Sequence, residues 1–180
     1  MKSIYLTCFA IVATCLALEV SAACKSREPT RETSPGPHDY SYSADSTRLW
    51  QRGDAGEALY LRLRVMDVCG KPLAGARVQL LHANHEGAHE HGRWRGVTTT
   101  NARGAAQVLT VFPGYTGGLP RHIHFVVSHA QHRELVTRLF FKNDPEADID
   151  VEDLAMVLEQ VERDGQRAWL AGYEFVLQSE

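Results

Sequence analysis

The chain has 180 residues, a formal net charge of −3 at neutral pH and 23% charged residues. This nearly balanced charge gives no strong electrostatic attraction for nucleic acid and excludes it as an expected partner. The unusual feature of the composition is its nine histidines, six of which lie at positions 82–91 and at His122 and His124.

The N-terminal region, residues 1–23, predicts a secretory signal peptide. Lys2 precedes an apolar run from Ile4 to Val20, and the small residues Ser21-Ala22-Ala23 follow. The run is marginally short for a membrane span and leads directly into small and polar residues. We therefore expect an exported protein, either periplasmic or secreted.

The cysteines that follow the signal leave two outcomes open. Ordinary cleavage after the small residues would release a soluble protein, whereas lipidation of Cys24 would anchor the chain, although Ser21 replaces the usual lipobox leucine. Two other cysteines lie inside the signal. Cys24 and Cys69 then either pair in an oxidising compartment or stay separate if Cys24 carries lipid.

Residues 24–48 predict a flexible linker, because they are rich in Ser, Pro, Thr, Arg and Glu and contain almost no aliphatic residues. Residues 49–180 have the length of one domain. Short apolar segments in this range are separated by Gly, Pro, Asn and Asp, a pattern that predicts strands. The predicted strands cover residues 58–65, 77–82, 105–112, 122–128, 134–141 and 173–178.

A C-terminal helix is predicted over residues 151–163. Leu154, Val157, Leu158 and Val161 are spaced as on one helical face, and acidic residues stand at the start. Together with the strands, this segment predicts a mainly β domain, a sandwich or barrel with one helix packed on its sheets.

His122 and His124 lie two residues apart in the strand predicted over residues 122–128. Alternate side chains of a strand face the same side. Two imidazoles on one face are typical of half a metal site.

Four motifs give the chain a family resemblance. They read GKPLAGARV at 70–78, TVFPGY at 110–115, HIHF at 122–125 and TRLFFKNDP at 137–145. In this order and spacing they resemble the intradiol ring-cleavage dioxygenases, in particular the short relatives of the protocatechuate 3,4-dioxygenase β subunit. The resemblance implies a transthyretin-like β-sandwich that holds one non-haem Fe(III) between two histidines and two tyrosinates. It also implies cleavage of a catechol by dioxygen, and relatives often self-associate as homo-oligomers.

The resemblance also implies which residues hold the metal. His122 and His124 match the family's histidine ligands, and His89 stands where the first ligand tyrosine belongs. Thr116 takes the second tyrosine position in an ungapped alignment, and Tyr115 reaches the metal only if the loop shifts by one residue. At least one ligand tyrosine is therefore absent, so copper, zinc or Fe(II) would suit the site at least as well as Fe(III).

A second departure from the family concerns arginine. The arginine that stands three residues before the first histidine in the family is Leu119 here, whereas a glutamine of the family's pocket corresponds to Arg138. We predict that Arg138 brings a guanidinium to the site from the neighbouring strand. Arg121 is the other candidate, but its position in the strand has the opposite parity to that of His122.

Two function classes remain open from the sequence. The first is an exported metal-dependent oxidoreductase that acts with dioxygen on a catechol or another phenolic compound. The second is a non-catalytic β-sandwich of the cell envelope that kept the fold and the histidines and binds a metal or a ligand. In the second case His89 is a solvated loop histidine and Tyr115 packs within its turn.

Overall fold

A computed structural model describes residues 24–35, 46–90, 92–146 and 149–180, so the predicted signal peptide lies outside the described residues. Within these ranges the chain forms nine β-strands and one short 3-10 helix, Ile149–Leu154. The strands are β1 Ala58–Asp67, β2 Arg77–Leu81, β3 Arg95–Thr99, β4 Ala105–Val111, β5 His122–His129, β6 His132–Phe141, β7 Ala155–Met156, β8 Leu158–Arg163 and β9 Gln166–Leu177.

The strands form two sheets, with strand orders β4-β1-β9-β8 and β3-β2-β5-β6-β7. Alternate residues of β1 are buried leucines while Arg62 and Arg64 point outward, the alternation expected of a strand that covers a core on one face. Phe125 of the five-stranded sheet meets Phe175 of the four-stranded sheet, with ring centroids 5.2 Å apart. The predicted mainly β sandwich is confirmed.

The helix predicted over residues 151–163 is wrong. Leu154 and Met156 are buried, whereas Val157 is 59% exposed. Residues 158–163 form strand β8, which pairs antiparallel with β9. The segment ends at Asp164-Gly165, where both residues have positive φ, 53° and 73°. Such an Asp-Gly pair forms the two-residue turn of a β-hairpin, and here it joins β8 to β9.

Residues 24–35 lie along the sandwich, in contrast to the flexible linker predicted over residues 24–48. Thr30 exchanges two hydrogen bonds with Val176, and the Thr137 hydroxyl donates to the Arg31 carbonyl at 2.8 Å. The Arg31 guanidinium binds both carboxylate oxygens of Asp153. Backbone hydrogen bonding therefore holds this polar segment in place without an apolar face of its own.

A disulfide between Cys24 and Cys69 fixes the start of this segment to the turn after β1. A sulfur in a disulfide cannot carry a thioether-linked lipid, so this pairing and lipidation of Cys24 exclude each other. No helix in the described ranges is long and apolar enough to cross a membrane.

Candidate functional site

The two histidines at the start of β5 lie together on the outer face of the five-stranded sheet. Ile123 and Phe125 point into the core, so His122 and His124 face the other way. Both are buried, at 4% and 2% exposure, and their Nε2 atoms are 3.1 Å apart. Two nitrogens at this separation have the spacing of neighbouring ligands that each lie about 2.1 Å from one metal ion.

The tautomer of His122 is set by a contact with the backbone of Pro120. Its Nδ1 lies 2.7 Å from the Pro120 carbonyl oxygen, which can only accept, so Nδ1 carries the proton and Nε2 has its lone pair available. Burial lowers the pKa of His122, the Pro120 contact opposes that effect, and the charge of Arg138 adds to it. His122 is therefore neutral at neutral pH, as a metal ligand must be.

His82 is a third buried histidine, and sequence reasoning assigned it no role beyond membership of a cluster. Its Nδ1 lies 2.7 Å from the Ala83 carbonyl, and its Nε2 lies 2.7 Å from the hydroxyl of Thr110. Burial is the main cause that lowers its pKa to about 4, and the charges of His89 and His122 add to it. Since both ring nitrogens have partners, His82 serves as a neutral structural link between β2 and β4.

The buried His82 predicts a loss of stability in mild acid. Its pKa is about 4 in the folded state, against about 6.5 unfolded, so the unfolded chain takes up the proton first as pH falls. We expect His82 to lower the free energy of unfolding by about 2 kcal/mol between pH 7 and pH 4.5. Urea denaturation at both pH values measures this change. The free energy of unfolding should differ less between pH 7 and pH 4.5 for His82→Gln than for wild type. Equal differences would contradict a neutral His82.

His89 lies on the loop after β2, and Asn84 holds that loop in shape. The Asn84 side-chain oxygen accepts from the backbone N–H groups of Glu86 and Ala88 at 3.0 and 2.9 Å. His89 itself is exposed, but its charge acts on both His82 and His122. The loop therefore brings His89 near the histidine pair, while the ligand role implied by the family alignment stays a prediction.

Two glycines allow the His89 loop to pack against the loop that carries Tyr115. A Cβ on Gly114 would lie 2.5 Å from the His85 carbonyl, and a Cβ on Gly87 would overlap the Tyr115 carbonyl. Gly87 also has φ of +90°, which L-residues with side chains rarely adopt. The close approach of these two backbones shapes the edge of the site.

Gly87→Ala is therefore expected to displace one of the two loops and to destabilise the fold by about 1–3 kcal/mol. Gly92→Ala is the matched control, since Gly92 also has positive φ but open space around its Cβ position. Urea denaturation of both variants measures the difference. If Gly87→Ala loses no more stability than Gly92→Ala, the close contact with Tyr115 does not contribute to stability.

Tyr115 and Arg121 form a separate cluster with Asp144. The Tyr115 hydroxyl donates to Asp144 at 3.0 Å and accepts from the Arg121 guanidinium at 2.6 Å, and that guanidinium stacks 3.8 Å from the Tyr115 ring centroid. Burial and the Asp144 contact raise the pKa of Tyr115. The structure thus places Tyr115 as a neutral phenol engaged by Arg121. Asp144, which organises the cluster, received no role from the sequence.

Thr116, the alternative at the second tyrosine position, begins a tight turn. It pairs with Leu119 across Gly117-Gly118, and both glycines have positive φ. A hydroxyl on a short threonine side chain is no substitute for a phenolate. The described arrangement therefore provides no tyrosinate for a ferric ion at this loop.

Arg138 lies directly opposite His124 across β5 and β6. Within the described part of the chain, its Nε atom is buried and makes no hydrogen bond. Its charge lowers the pKa of His122, which places the guanidinium beside the histidine pair. The role predicted for Arg138, stabilising an anion bound at this face, stays a prediction.

The described residues contain no group of three or more His, Cys, Asp or Glu side chains ready to hold a metal ion. His122 and His124 have the spacing of two metal ligands. The donor set fits a borderline divalent ion held by neutral nitrogen better than a ferric ion, which prefers hard anionic oxygen.

Comparison with known proteins agrees with this architecture. The sequence model of the dioxygenase family matches residues 35–114 and 96–179, which together cover most of the folded domain. The chain belongs to the intradiol dioxygenase superfamily. Catechol 1,2-dioxygenase 2 of Acinetobacter lwoffii is 33% identical over 123 residues, which are 54% of this chain and 45% of that protein. Catechol 1,2-dioxygenase of Acinetobacter baylyi is 30% identical over 50% of this chain and 38% of its own length.

Solved structures of this superfamily share the fold of the chain. The dioxygenase domain of a dioxygenase and carbohydrate-binding protein fusion from Streptomyces sp. SirexAA-E has a TM-score of 0.73 at 25% identity, over 85% of this chain and all of that domain. Catechol 1,2-dioxygenase of Acinetobacter radioresistens has a TM-score of 0.77 at 20% identity, over 86% of this chain and 64% of its own. The chain spans less than half the length of the two curated catechol 1,2-dioxygenases named above, 45% and 38%.

Proposed function

We propose that this protein is an exported, metal-dependent oxidoreductase that acts with dioxygen on a catechol or a related phenolic compound. The observation that carries the proposal is the buried pair His122 and His124, at the positions of the family's histidine ligands, with Arg138 beside it. Membership of the superfamily and similarity to proteins named catechol 1,2-dioxygenase support the class of substrate.

The metal in this proposal is held by His122 and His124, with His89 as the third ligand. The superfamily implies Fe(III), but the hydroxyl of Tyr115 is engaged by Asp144 and Arg121. The histidine-rich donor set instead favours Fe(II), copper or zinc. A bound metal would supply the Lewis acidity that makes a coordinated catechol reactive.

The chain itself supplies orientation and charge. The Pro120 carbonyl holds His122 in the tautomer with Nε2 free for the metal. Arg138 offers a guanidinium, with its Nε buried and not hydrogen-bonded, for the negative charge that a phenol develops when its proton leaves. Asn84 fixes the loop that carries His89.

A second candidate is a non-catalytic metal- or ligand-binding domain of the cell envelope. One observation favours it: neither tyrosinate ligand implied by the family is available. His89 stands at the first tyrosine position, and the Tyr115 hydroxyl near the second is hydrogen-bonded to Asp144 and Arg121. A protein that lost the phenolates could keep the fold and the histidines and bind metal without turnover.

Oxygen uptake with a panel of catechols separates the two candidates. We expect dioxygen consumption that depends on metal, and mass spectrometry with ¹⁸O₂ distinguishes a ring-cleaved product that gains two labelled oxygens from a quinone that gains none. Metal binding without oxygen uptake on any catechol would favour the second candidate.

Arg138→Ala tests the proposed role of the guanidinium. We expect turnover to fall about 100-fold, as when one transition-state donor is removed, while metal content stays unchanged. Arg62→Ala is the matched control, because Arg62 is an exposed strand arginine of the other sheet. Unchanged turnover in Arg138→Ala would end this assignment.

A further inference from the structure

A second pair of histidines meets at the opposite end of β5. His129 ends β5 and His132 begins β6, and the two residues pair directly across the Ala130-Gln131 turn. Their Nδ1 atoms are 3.0 Å apart, with ring centroids at 5.0 Å and planes inclined by 66°. His129 follows His124 by five residues, which separates the two pairs by about 17 Å along an extended strand.

The second pair lies where the charges of two carboxylates act. His132 is buried, at 8% exposure. The carboxylates of Asp67 and Glu180 act on His132. The negative charges of these two carboxylates favour a cation bound at the pair.

The backbone around the pair is fixed from both sides. His132 bridges to Ser179, the Arg133 N–H donates to the Gln178 carbonyl, and the Glu180 N–H donates to the Gln131 carbonyl. A two-residue turn also leaves little freedom to the residues that face each other across it. The backbone that carries both imidazoles is thus fixed before any ligand arrives, which reduces the entropic cost of binding.

Asp67 contributes charge without coordinating. Its Oδ1 accepts hydrogen bonds from the N–H groups of Cys69 and Lys71, both at 2.8 Å. No group of three or more potential ligand side chains is present in the described ranges. Any metal held here is a two-histidine chelate whose remaining positions belong to solvent.

We propose that His129 and His132 form a second metal site, which chelates a divalent transition ion of the copper class through their Nδ1 atoms. Cu²⁺ is the expected occupant, because it binds nitrogen donors more strongly than the other divalent first-row ions. The site is independent of the proposed catalytic function. The competing explanation is a hydrogen bond in which one imidazole donates its Nδ1 proton to the other.

The test uses the full chain in a His122→Gln/His124→Gln background, which removes the first pair. Titration with Cu²⁺, followed by calorimetry and electron paramagnetic resonance, is expected to give one bound ion per chain with nitrogen ligands. Adding His129→Gln and His132→Gln should abolish this binding. His85→Gln in the same background is the control, because His85 is a surface histidine outside both pairs.

The single variant His129→Gln covers the case in which the combined variant fails to fold. We expect it to weaken copper binding at least about tenfold, the loss found when a metal site is perturbed, and to leave one nitrogen ligand fewer in the spectrum. Absence of copper binding in the parent background, or binding that the His129→Gln and His132→Gln changes leave intact, would overturn the proposal in favour of the shared hydrogen bond.

Discussion

His122→Gln/His124→Gln is expected to remove the metal of the candidate active site and to abolish turnover. Glutamine is close to histidine in size, and its amide N–H can still donate to the Pro120 carbonyl, so the fold should persist. It is a poor ligand for a borderline metal ion. With iron as the loaded metal, we expect metal content to fall from about one ion per chain to background. Turnover should fall at least about 1,000-fold, a loss of about 4 kcal/mol in transition-state stabilisation.

Elemental analysis and oxygen uptake on the same sample measure this prediction. Because the second histidine pair would bind copper too, metal content is compared after loading with iron, copper and zinc in turn. His85→Gln provides the control for a surface histidine. Turnover that survives in the double variant would place the reaction elsewhere, and the proposed function would fail whatever the outcome for the second pair.

The visible spectrum of the iron-loaded protein tests the assignment of Tyr115. The structure predicts no tyrosinate-to-iron colour, because Asp144 and Arg121 engage the phenol and its pKa is raised. A colour that disappears in Tyr115→Phe would mean that the loop shifts by one residue and brings Tyr115 to the metal. Ring cleavage by a ferric centre would then become the leading mechanism.

The spacing of residues within short segments predicted the features that depend only on residues close together in the chain. The two-residue spacing of His122 and His124 in an apolar strand was sufficient to place both on one face. The pattern failed over residues 151–163, where four apolar residues have helical spacing but the Asp164-Gly165 turn makes the segment the first arm of a hairpin. That turn required β8 to pair with β9.

The remaining features depend on contacts between residues far apart in the chain. Arg138 reaches the histidine pair only because β5 and β6 adopt the register that sets it opposite His124. Asp144 binds Tyr115 across 29 positions. Periodicity and composition carry no information about such contacts, so the sequence could suggest Arg138 through family resemblance but could not reveal the role of Asp144.

Removal of the Cys24–Cys69 disulfide is expected to produce the largest loss of stability. The bond joins residues 45 positions apart, and the chain-entropy estimate for a loop of that size is about 4 kcal/mol. Cys24→Ser/Cys69→Ser should lower the free energy of unfolding by this order in urea denaturation. Reduction of the wild type should give the same loss and should leave the double variant unchanged.

The same variant should release the segment of residues 24–35 from the sandwich. Once Cys24 is free, the hydrogen bonds between Thr30 and Val176 and the ion pair of Arg31 with Asp153 must hold the segment alone. Exposed ion pairs contribute little. We expect faster tryptic cleavage at Arg27 and Arg31 in the variant, whereas cleavage at Arg103, in an exposed turn, serves as the internal control.

Thiol titration of the mature protein decides between the disulfide and a lipid anchor. With Cys24 and Cys69 paired, the denatured mature chain has no thiol that reacts with maleimide, and its mass is that of the unmodified polypeptide. A lipidated Cys24 would instead leave Cys69 reactive and add the mass of the lipid. In that case the double variant would be released from the membrane without the loss of stability, because the cross-link that constrains the unfolded chain would never have formed.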